Sequence, residues 1–427
     1  MKRIVNNISS KTGGLFLLAA FIITLSSCHK EVSPTNQVGS TYTVNYSQVF
    51  EDFWNSMNKT YVFWSIEKTD WDKVHRDFAP AFKRLDDEVA YYSSDMMALK
   101  AARLFKQIVD GLVDSHYSLS LITGYGINPS LDRKWENPEF IGNLFMDKNG
   151  SITQLYPDNI NYYNVGVDSM YLEDKVAGYD SLSGFYSVSG IIKNTNILYF
   201  SFSTFSLLSQ YQSGTNPNVK ASIDNFFTKL TDPKVTSLII DVRGNGGGET
   251  SDLNFLLGRL VSKPLKIGYT KSKSGPGRLD YTPWADAIVK PWYGFPSGFN
   301  KPIAVLADGL SASMAELTAM TVKALPNSIF VGDTTWGANG PLTQNSDFNA
   351  GSFSFGNLGT NVDYGITYYY GSVYTSSCMF KYLDNKIYEG KGFPPDYVVK
   401  VTPDQIFLPD NVVDDPQLNK AISLLPK

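Results

Sequence analysis

Apolar residues between positions 50 and 112 recur every three to four residues, which is the spacing of amphipathic helices. Candidate N-caps lie in Thr69-Asp70 and Ser93-Ser94-Asp95, and Pro80 predicts a kink or an end of the second run. We therefore predict an N-terminal helical domain over residues 48–119, with its last helix ending near residues 114–116. The apolar positions are Phe50, Phe53, Trp54, Met57, Trp71, Val74, Phe78, Leu104, Phe105, Ile108, Val109 and Leu112.

From residue 196 onward, strand-like apolar runs alternate with helical spacing. This alternation predicts βαβ units and a parallel sheet, so the fold class is α/β. Residues 120–190 contain short apolar runs among Gly, Asn and Asp, which predict a β-rich connecting segment, and the chain after Gly340 predicts an antiparallel or mixed β extension. The predicted strands are residues 197–202, 235–242, 303–306 and 329–331, and the predicted helices are residues 219–230, 251–260 and 313–325.

The start of the chain has the pattern of an export signal. Basic residues precede an apolar run over residues 15–25, which is shorter than the roughly 20 residues that a spanning helix needs. Residues 1–27 are therefore predicted to be a signal peptide, and residues 28–47, which are polar, a flexible tether. The sequence Leu25-Ser26-Ser27-Cys28 resembles the bacterial lipobox. The resemblance implies a lipid on Cys28 and an exported lipoprotein of the cell envelope, periplasmic or surface-exposed on the outer membrane.

Composition and charge narrow the function classes. The net charge is −4, and no basic run follows the first residues, so nucleic acid is not an expected partner. The chain has three histidines and two cysteines, and no two of them are spaced as metal ligands, so we expect neither a metal nor another cofactor. With Cys28 acylated, Cys378 has no disulfide partner. His29 lies in the tether, and His75 is interpreted as a surface or packed residue of a helix.

A glycine-rich loop follows the predicted strand at residues 235–242. It reads Arg243-Gly244-Asn245-Gly246-Gly247-Gly248, and its backbone amides can approach a ligand closely. A dinucleotide fingerprint is not complete, because Glu249 occupies the position of its last glycine, and no Gly-Lys-Ser/Thr follows for a Walker loop. The loop therefore favours an oxyanion site, in which amides face a developing negative charge.

Ser313 is predicted to stand at the N-terminus of the helix over residues 313–325. There the helix dipole favours an alkoxide, and the next amide can donate to an oxyanion. Ser313 and Glu316 also have the spacing of a capping box, which is a purely structural device. A second candidate nucleophile is Ser311, in a Gly309-x-Ser311-x-Ser313 pattern that falls one glycine short of the hydrolase elbow.

Taken together, these segments resemble the tail-specific, or C-terminal processing, serine peptidase family. The similarity covers residues 241–248, 311–316 and 331–337, in the family's order and placement. It implies a ClpP/crotonase-like catalytic domain over residues 191–427, with Ser313 as nucleophile. It also implies oxyanion donors from the amides of Met314 and of Gly247 or Gly248.

One position departs from the family pattern. Bacterial members use a Ser/Lys dyad whose lysine follows the equivalent of Gly337, but this chain has Ala338 there. Ser115-His116 resembles the Ser-His pair of the tricorn-core branch, which uses a histidine base, and Glu389 with residues 390–396 matches that branch as well. The implied tetrad is Ser115, His116, Ser313 and Glu389, with His116 as general base and Glu389 and Ser115 orienting polar groups around it.

The residues alone leave other interpretations of Ser115-His116 and Glu389 open. Ser115-His116 can simply end a helix, and Glu389 can be a solvated loop carboxylate. The predicted function is a lipid-anchored serine peptidase that acts on peptides or unfolded protein segments, with no complete PDZ domain in residues 120–190. The alternative is a catalytically inactive peptide-binding or scaffold lipoprotein that retains the fold.

Overall fold

The computed structural model describes residues 44–130, 171–295, 297–341, 351–361, 364–400 and 415–427, together with two short strands between residues 144 and 154. Tyr42–Lys427 form one compact unit. The predicted signal peptide, Cys28 and most of the tether lie outside the described residues, as does much of the 120–190 segment that bears on a PDZ domain. Within the described ranges, no helix is long and apolar enough to cross a membrane.

The N-terminal part is helical, as predicted. It consists of α1 (Tyr46–Thr60), a short 3-10 helix (Val62–Ser65), α2 (Trp71–Glu88) and α3 (Ser94–Val109). The predicted N-caps are confirmed, because the Asp70 side chain accepts from the Lys73 N–H and the Ser93 hydroxyl accepts from the Met96 N–H. Of the kink or end predicted at Pro80, the end is wrong, and the kink stays a prediction. The helix continues to Glu88 and buries two apolar side chains beyond the proline, Phe82 and Leu85.

The predicted end of α3 near residues 114–116 is also wrong, since the helix ends at Val109. Beyond it, backbone amides bind side chains instead of continuing the helix. The Val113 N–H donates to Glu67 Oε2 at 2.9 Å, and the Asp114 N–H donates to the Tyr61 hydroxyl at 3.2 Å. Residues 114–116 are thereby held in a turn between α3 and the first strand.

A seven-stranded mixed sheet forms the centre of the molecule. Its order is β16-β12-β11-β8-β7-β6-β5, and the run from β7 to β16 is parallel, whereas β6 and the edge strand β5 are antiparallel to their neighbours. The predicted βαβ alternation is confirmed. The strands are β5 (Leu172–Asp180), β6 (Phe185–Ile192), β7 (Ile197–Phe202), β8 (Ser237–Asp241), β11 (Ile303–Ala307), β12 (Ser328–Gly332) and β16 (Tyr397–Val398).

Helices cover both faces of this sheet, so its central strands are buried throughout. On one face pack α5 (Pro217–Leu230) and α7 (Met314–Ala324), and on the other packs the C-terminal helix α8 (Pro416–Leu424). Two shorter helices, α4 (Leu207–Ser213) and α6 (Asp252–Leu256), follow β7 and β8, and a 3-10 turn (Leu257–Arg259) extends α6.

The remaining strands form smaller antiparallel sheets. One has the order β13-β14-β1-β2 and another the order β10-β9-β15. The N-terminal helices pack on the first of these, where Phe53 contacts both Phe105 and Phe355 with ring centroids 5.1 Å apart. These strands are β1 (Ser118–Leu121), β2 (Gly126–Ile127), β9 (Leu265–Ser272), β10 (Ala285–Val289), β13 (Ser352–Asn361), β14 (Ile366–Tyr374) and β15 (Cys378–Tyr382), and β3 (Leu144–Met146) pairs with β4 (Ile152–Gln154).

Candidate active site

Ser313 lies where the loop after β11 enters α7, and its backbone is strained. Its φ of 55° and ψ of −117° are rare for a residue that carries a side chain. The predicted capping box with Glu316 is present, and the Ser313 N–H donates to Glu316 Oε2 at 3.2 Å. A capping residue normally has an extended backbone, so capping does not account for the positive φ. A strained turn from strand to helix is the geometry that presents a nucleophile.

The glycine-rich loop meets this turn because β8 and β11 are parallel neighbours whose carboxyl ends lie side by side. The Ala312 N–H donates to the Asn245 carbonyl at 3.1 Å, which ties the two loops together. A Cβ atom added to Gly247 would lie 2.6 Å from Ser313 Cβ. A side chain at Gly247 would therefore displace Ser313.

The amides around Ser313 differ in whether they are already bonded. The Gly247 N–H donates to Asn245 Oδ1 at 2.9 Å. The Gly248 and Met314 N–H groups have no acceptor among the described residues. Of the two glycines that the sequence nominates as oxyanion donors, only Gly248 keeps a free amide.

Glu316 holds the segment in which Ala338 takes the place of a lysine. Glu316 is fully buried, and it accepts from the Thr335 hydroxyl at 2.5 Å, the Gly337 N–H at 2.8 Å and the Ala338 N–H at 2.6 Å. Burial raises the pKa of Glu316, and these donors oppose that rise. The Ala338 carbonyl in turn accepts from the Ser313 N–H at 3.1 Å. This segment therefore positions the Ser313 backbone.

Glu389 is buried, with 2% of its surface exposed, so it is not the solvated loop carboxylate that the sequence left open. Its Oε1 accepts from the Ser115 N–H at 2.8 Å, and its Oε2 accepts from the amides of Asn339 at 2.7 Å and Gly340 at 2.8 Å. Burial, followed by the nearby charge of Asp114, raises the pKa of Glu389 well above its usual value, and the amides act against both.

A short series of hydrogen bonds, two of which are accepted by the Glu389 side chain, connects Ser313 with the turn that contains Ser115. The Ser313 N–H bonds to the carbonyl of Ala338, and the amide of the next residue, Asn339, bonds to Glu389. Glu389 bonds to Ser115 on its other oxygen. Glu389 thus connects the turn after α3 with the segment that supports Ser313.

His116 is buried in this turn, and its two ring nitrogens have different surroundings. Nδ1 lies 3.3 Å from the Ser376 hydroxyl. Nε2 has no hydrogen-bond partner in the described part of the chain, so no hydrogen bond joins it to the Ser313 hydroxyl. Burial lowers the pKa of His116, and the Asp114 carboxylate opposes this. Burial therefore favours the neutral imidazole, and one of its nitrogens is unbonded among the described residues.

Two further residues of the site were given no role by the sequence analysis, Asp114 and Ser376. Asp114 accepts from the His116 N–H at 2.9 Å, the Ser376 hydroxyl at 2.9 Å, the Ser376 N–H at 2.8 Å and the Thr375 hydroxyl at 2.6 Å. Asp114 directly precedes Ser115-His116 in the sequence, and this adjacency could have identified it as a residue of the site. Ser376 follows β14, which pairs with β1 some 250 residues away in sequence, and no local pattern reports that pairing.

The ligand atoms of Asp114, His116 and Glu389 lie within 4.8 Å of one another, so we tested whether they suit a metal ion. The carboxylate oxygens already accept hydrogen bonds from amides and hydroxyls. A cation there would face N–H and O–H donors. The group therefore suits a hydrogen-bonded cluster around an imidazole better than a metal centre.

The competing residues have structural roles. The Ser311 hydroxyl is buried, where it donates to the Val242 carbonyl at 2.7 Å and accepts from the Asp308 N–H at 2.9 Å. Through these two hydrogen bonds the Ser311 hydroxyl joins two loops. His75 bonds to Glu51 Oε1 at 2.8 Å on the surface of the helical part, in agreement with the reading of it as a packed residue.

Comparisons with known proteins support the fold and show which family model part of the chain resembles. A proposed peptidase from Parabacteroides merdae ATCC 43184 superposes with a TM-score of 0.60 at 18% identity, over 90% of this chain and 97% of that one. Mature CPAF superposes with a TM-score of 0.52 at 12% identity, over 85% of this chain and 94% of that one. At such identities the likeness shows the fold alone. Residues 196–399 match the model of Peptidase family S41, which is somewhat less than half of this chain.

Proposed function

We propose that this chain is a serine peptidase that hydrolyses peptide bonds in peptides or unfolded protein segments. In this proposal Ser313 is the nucleophile, His116 is the general base, and Ser115 and Glu389 position the base, as in the tricorn-core branch. The observation that carries the proposal is the strained backbone of Ser313 at the N-terminus of α7, beside the amides of Gly248 and Met314, for which the described residues offer no acceptor. Stored strain and unbonded amides at one point are features of catalytic sites.

The reaction divides into acylation and deacylation. The Ser313 hydroxyl gives its proton to His116 Nε2 while Oγ bonds to the substrate carbonyl carbon, and the carbonyl oxygen takes up the negative charge. The amides of Gly248 and Met314 donate to that oxygen. The C–N bond then breaks, and the leaving amine receives the proton from His116. Water attacks the resulting ester with His116 again as base, which releases the acid and restores the Ser313 hydroxyl.

The proposal is tested with a fluorophosphonate probe on the full chain purified in detergent. Ser313→Ala should abolish labelling, and His116→Ala should slow it by about 10²- to 10⁴-fold, the usual contribution of a general base. Ser311→Ala, which deletes a neighbouring hydroxyl, should still be labelled once circular dichroism confirms that it is folded. Labelling that survives Ser313→Ala would contradict the nucleophile. For the wild-type chain, mass spectrometry of a peptide mixture after incubation would identify the bonds that are cut.

The alternative is an inactive peptide-binding or scaffold protein. Ala338 in the lysine position favours it, as does the lack of a hydrogen bond between His116 and Ser313 among the described residues. Catalytic hydrogen bonds are often long without substrate, so an active enzyme is also compatible with this geometry. A folded wild-type chain that takes up no probe, yet binds peptides, would favour the alternative.

We also propose that the chain is exported and anchored to the cell envelope, on the outer membrane, through lipid on Cys28. The lipobox-like residues 25–28 support this. A fatty-acid analogue fed to cells should label the protein, and Cys28→Ala should abolish that label. Cys378→Ala is the matched control, because Cys378 is buried and burial raises the pKa of its thiol to about 12. Label that persists in Cys28→Ala would contradict the anchor.

A further inference from the structure

We infer that Ser376 and Asp114 act as positioning residues that hold His116 in the tautomer with its hydrogen on Nδ1, leaving Nε2 free to accept a proton. The inference rests on the proposed function for its catalytic meaning, but its structural content can be measured without activity. It is carried by the hydrogen bonds that surround one hydroxyl group.

The Ser376 hydroxyl has a single hydrogen, and its hydrogen bonds within the described residues offer it three acceptors. Asp114 Oδ1 lies at 2.9 Å, His116 Nδ1 at 3.3 Å and the Gly340 carbonyl at 3.5 Å. The carboxylate is the nearest of these, and hydrogen bonds to charged acceptors are the strongest. The hydrogen of Ser376 therefore points to Asp114.

The surroundings of Asp114 support this orientation. Its other contacts all come from donors, namely the amides of His116 and Ser376 and the hydroxyl of Thr375. An ionised carboxylate can only accept, so it needs a hydrogen on the atom that it faces. If the Ser376 hydrogen pointed to His116, the Ser376 hydroxyl oxygen and Asp114 Oδ1 would face each other at 2.9 Å in a buried site with no hydrogen between them. Such an arrangement is unfavourable.

The orientation of one hydroxyl then fixes the histidine. Because the Ser376 hydrogen is used on Asp114, the Ser376 oxygen is left to accept, and the ring nitrogen that faces it, Nδ1 of His116, must be the donor. A neutral imidazole carries one ring hydrogen, so Nε2 holds the lone pair. This nitrogen is also the one that is buried without a partner in the described part of the chain.

The same contacts stabilise the charged state of the base. When His116 takes up a proton, Asp114 supplies a negative charge that reaches the ring through Ser376. A Glu389 oxygen also lies within 4.8 Å of a ring nitrogen of His116, but the Glu389 oxygens are bonded to the amides of Ser115, Asn339 and Gly340. Ser376 and Asp114 thus occupy the place of the third member of a triad, with a hydroxyl between carboxylate and imidazole.

The direct test is ¹⁵N NMR of the full chain with labelled histidine at neutral pH. Only three histidines are present, and His116→Gln identifies the relevant signals by their loss. The wild-type ring should show a protonated Nδ1 and an unprotonated Nε2. Ser376→Ala should lose this preference, whereas Ser377→Ala should keep it. Ser377 is the matched control because its buried hydroxyl binds the Pro341 carbonyl and not His116.

A second readout separates positioning from a loss of structure. Ser376→Ala should slow fluorophosphonate labelling by about tenfold to a hundredfold, less than the loss on removing a direct carboxylate partner. It should also move the acid limb of the rate profile to lower pH, because the imidazolium has lost support. A variant that had merely opened to water would move that limb upward, toward the free histidine value.

The outcomes distinguish this inference from the proposed function. A wild-type ring protonated on Nε2, or a Ser376→Ala chain with the wild-type tautomer and labelling rate, would overturn the positioning role while leaving the peptidase intact. A chain that takes up no probe but shows the expected tautomer, lost in Ser376→Ala, would support the positioning role while refuting the peptidase.

Discussion

At the scale of single residues, the site depends on which polar atoms are already bonded. Ser311 and Ser313 lie two positions apart, yet the Ser311 hydroxyl is used twice in joining loops, whereas Ser313 is strained and half-buried. The amides of Gly247 and Gly248 differ in the same way. The sequence pattern alone made both serines candidate nucleophiles and both glycines candidate oxyanion donors. The hydrogen bonds show which serine and which glycine are already in use.

The first prediction concerns pH. The general base must be neutral, and burial lowers the pKa of His116 below its usual 6.5. The labelling rate should therefore decrease as the pH falls and His116 takes up a proton, with a midpoint below 6.5. The measurement is the rate of fluorophosphonate labelling against pH. A midpoint at or above 6.5 would show that the base is not this buried imidazole.

The second prediction concerns Gly247. Gly247→Ala places a methyl group 2.6 Å from Ser313 Cβ and 2.8 Å from the Ala312 carbonyl, so Ser313 must move and labelling should be lost. Gly244→Ala is the matched control, because Gly244 also has positive φ but its Cβ would meet nothing within 4 Å. The control should cost about 1 kcal/mol of unfolding free energy, from backbone strain. Equal effects of the two substitutions would contradict the close approach.

At the scale of elements, the ends of the parallel strands determine where the site forms. The loops after β8, β11 and β12 all leave the same edge of the sheet, and they carry Gly247, Ser313 and Ala338 respectively. The helix α8 is fixed close to the first of these loops, because Arg243 bonds to Asp241 at the end of β8 and to Asp415 at the start of α8. This buried ion pair ties the C-terminus to the glycine-rich loop.

The third prediction follows from that ion pair. Asp415→Ala removes a partner of the buried Arg243, and it also removes the N-cap that accepts from the Leu418 N–H at 2.9 Å. Because Arg243 keeps Asp241, the loss of its charged hydrogen bonds to Asp415 should cost about 1.5–3 kcal/mol of unfolding free energy, and the loss of the cap about 1 kcal/mol more. Asp77→Ala, which breaks an exposed pair with Lys73, should cost less than about 1 kcal/mol. Urea unfolding measures both, and similar values for the two would contradict the account.

Sequence patterns predicted elements well where the signal was local. The caps at Asp70 and Ser93 and the alternating strands and helices after residue 196 need only neighbours within a few positions. Pro80 failed as a stop signal because the packing of the residues after it outweighs one lost hydrogen bond. The end of α3 was misplaced because Glu67 and Tyr61, from another segment, capture the next amides.

At the scale of the whole molecule, the helical part and the β extension share one hydrophobic core. Phe53 of α1 and Phe105 of α3 pack against Phe355 of β13. The sequence pattern placed these segments in different parts of the molecule, because no local pattern predicts that β1 pairs with β14 or that Ser376 lies beside His116. Only tertiary pairing brings together side chains that lie some 260 residues apart in the chain.

The fourth prediction tests this shared core. Phe53→Ala should lower the unfolding free energy by about 3–5 kcal/mol, because it leaves a cavity among packed aromatic rings. The unfolding of helix and of β structure should remain one transition when both are followed by spectroscopy. Tyr91→Ala is the control, since that side chain is 81% exposed and should have little effect. Separate transitions would show that the two parts do not share a core.

The most direct test of the central claim is a crystal structure of the full chain after reaction with a peptidyl phosphonate. We predict phosphorus bonded to Ser313 Oγ, the phosphonyl oxygen accepting from the amides of Gly248 and Met314, and His116 Nε2 within about 3 Å of Oγ. An adduct on any other residue, or His116 Nε2 lying more than about 5 Å from Ser313 Oγ in that complex, would contradict the account.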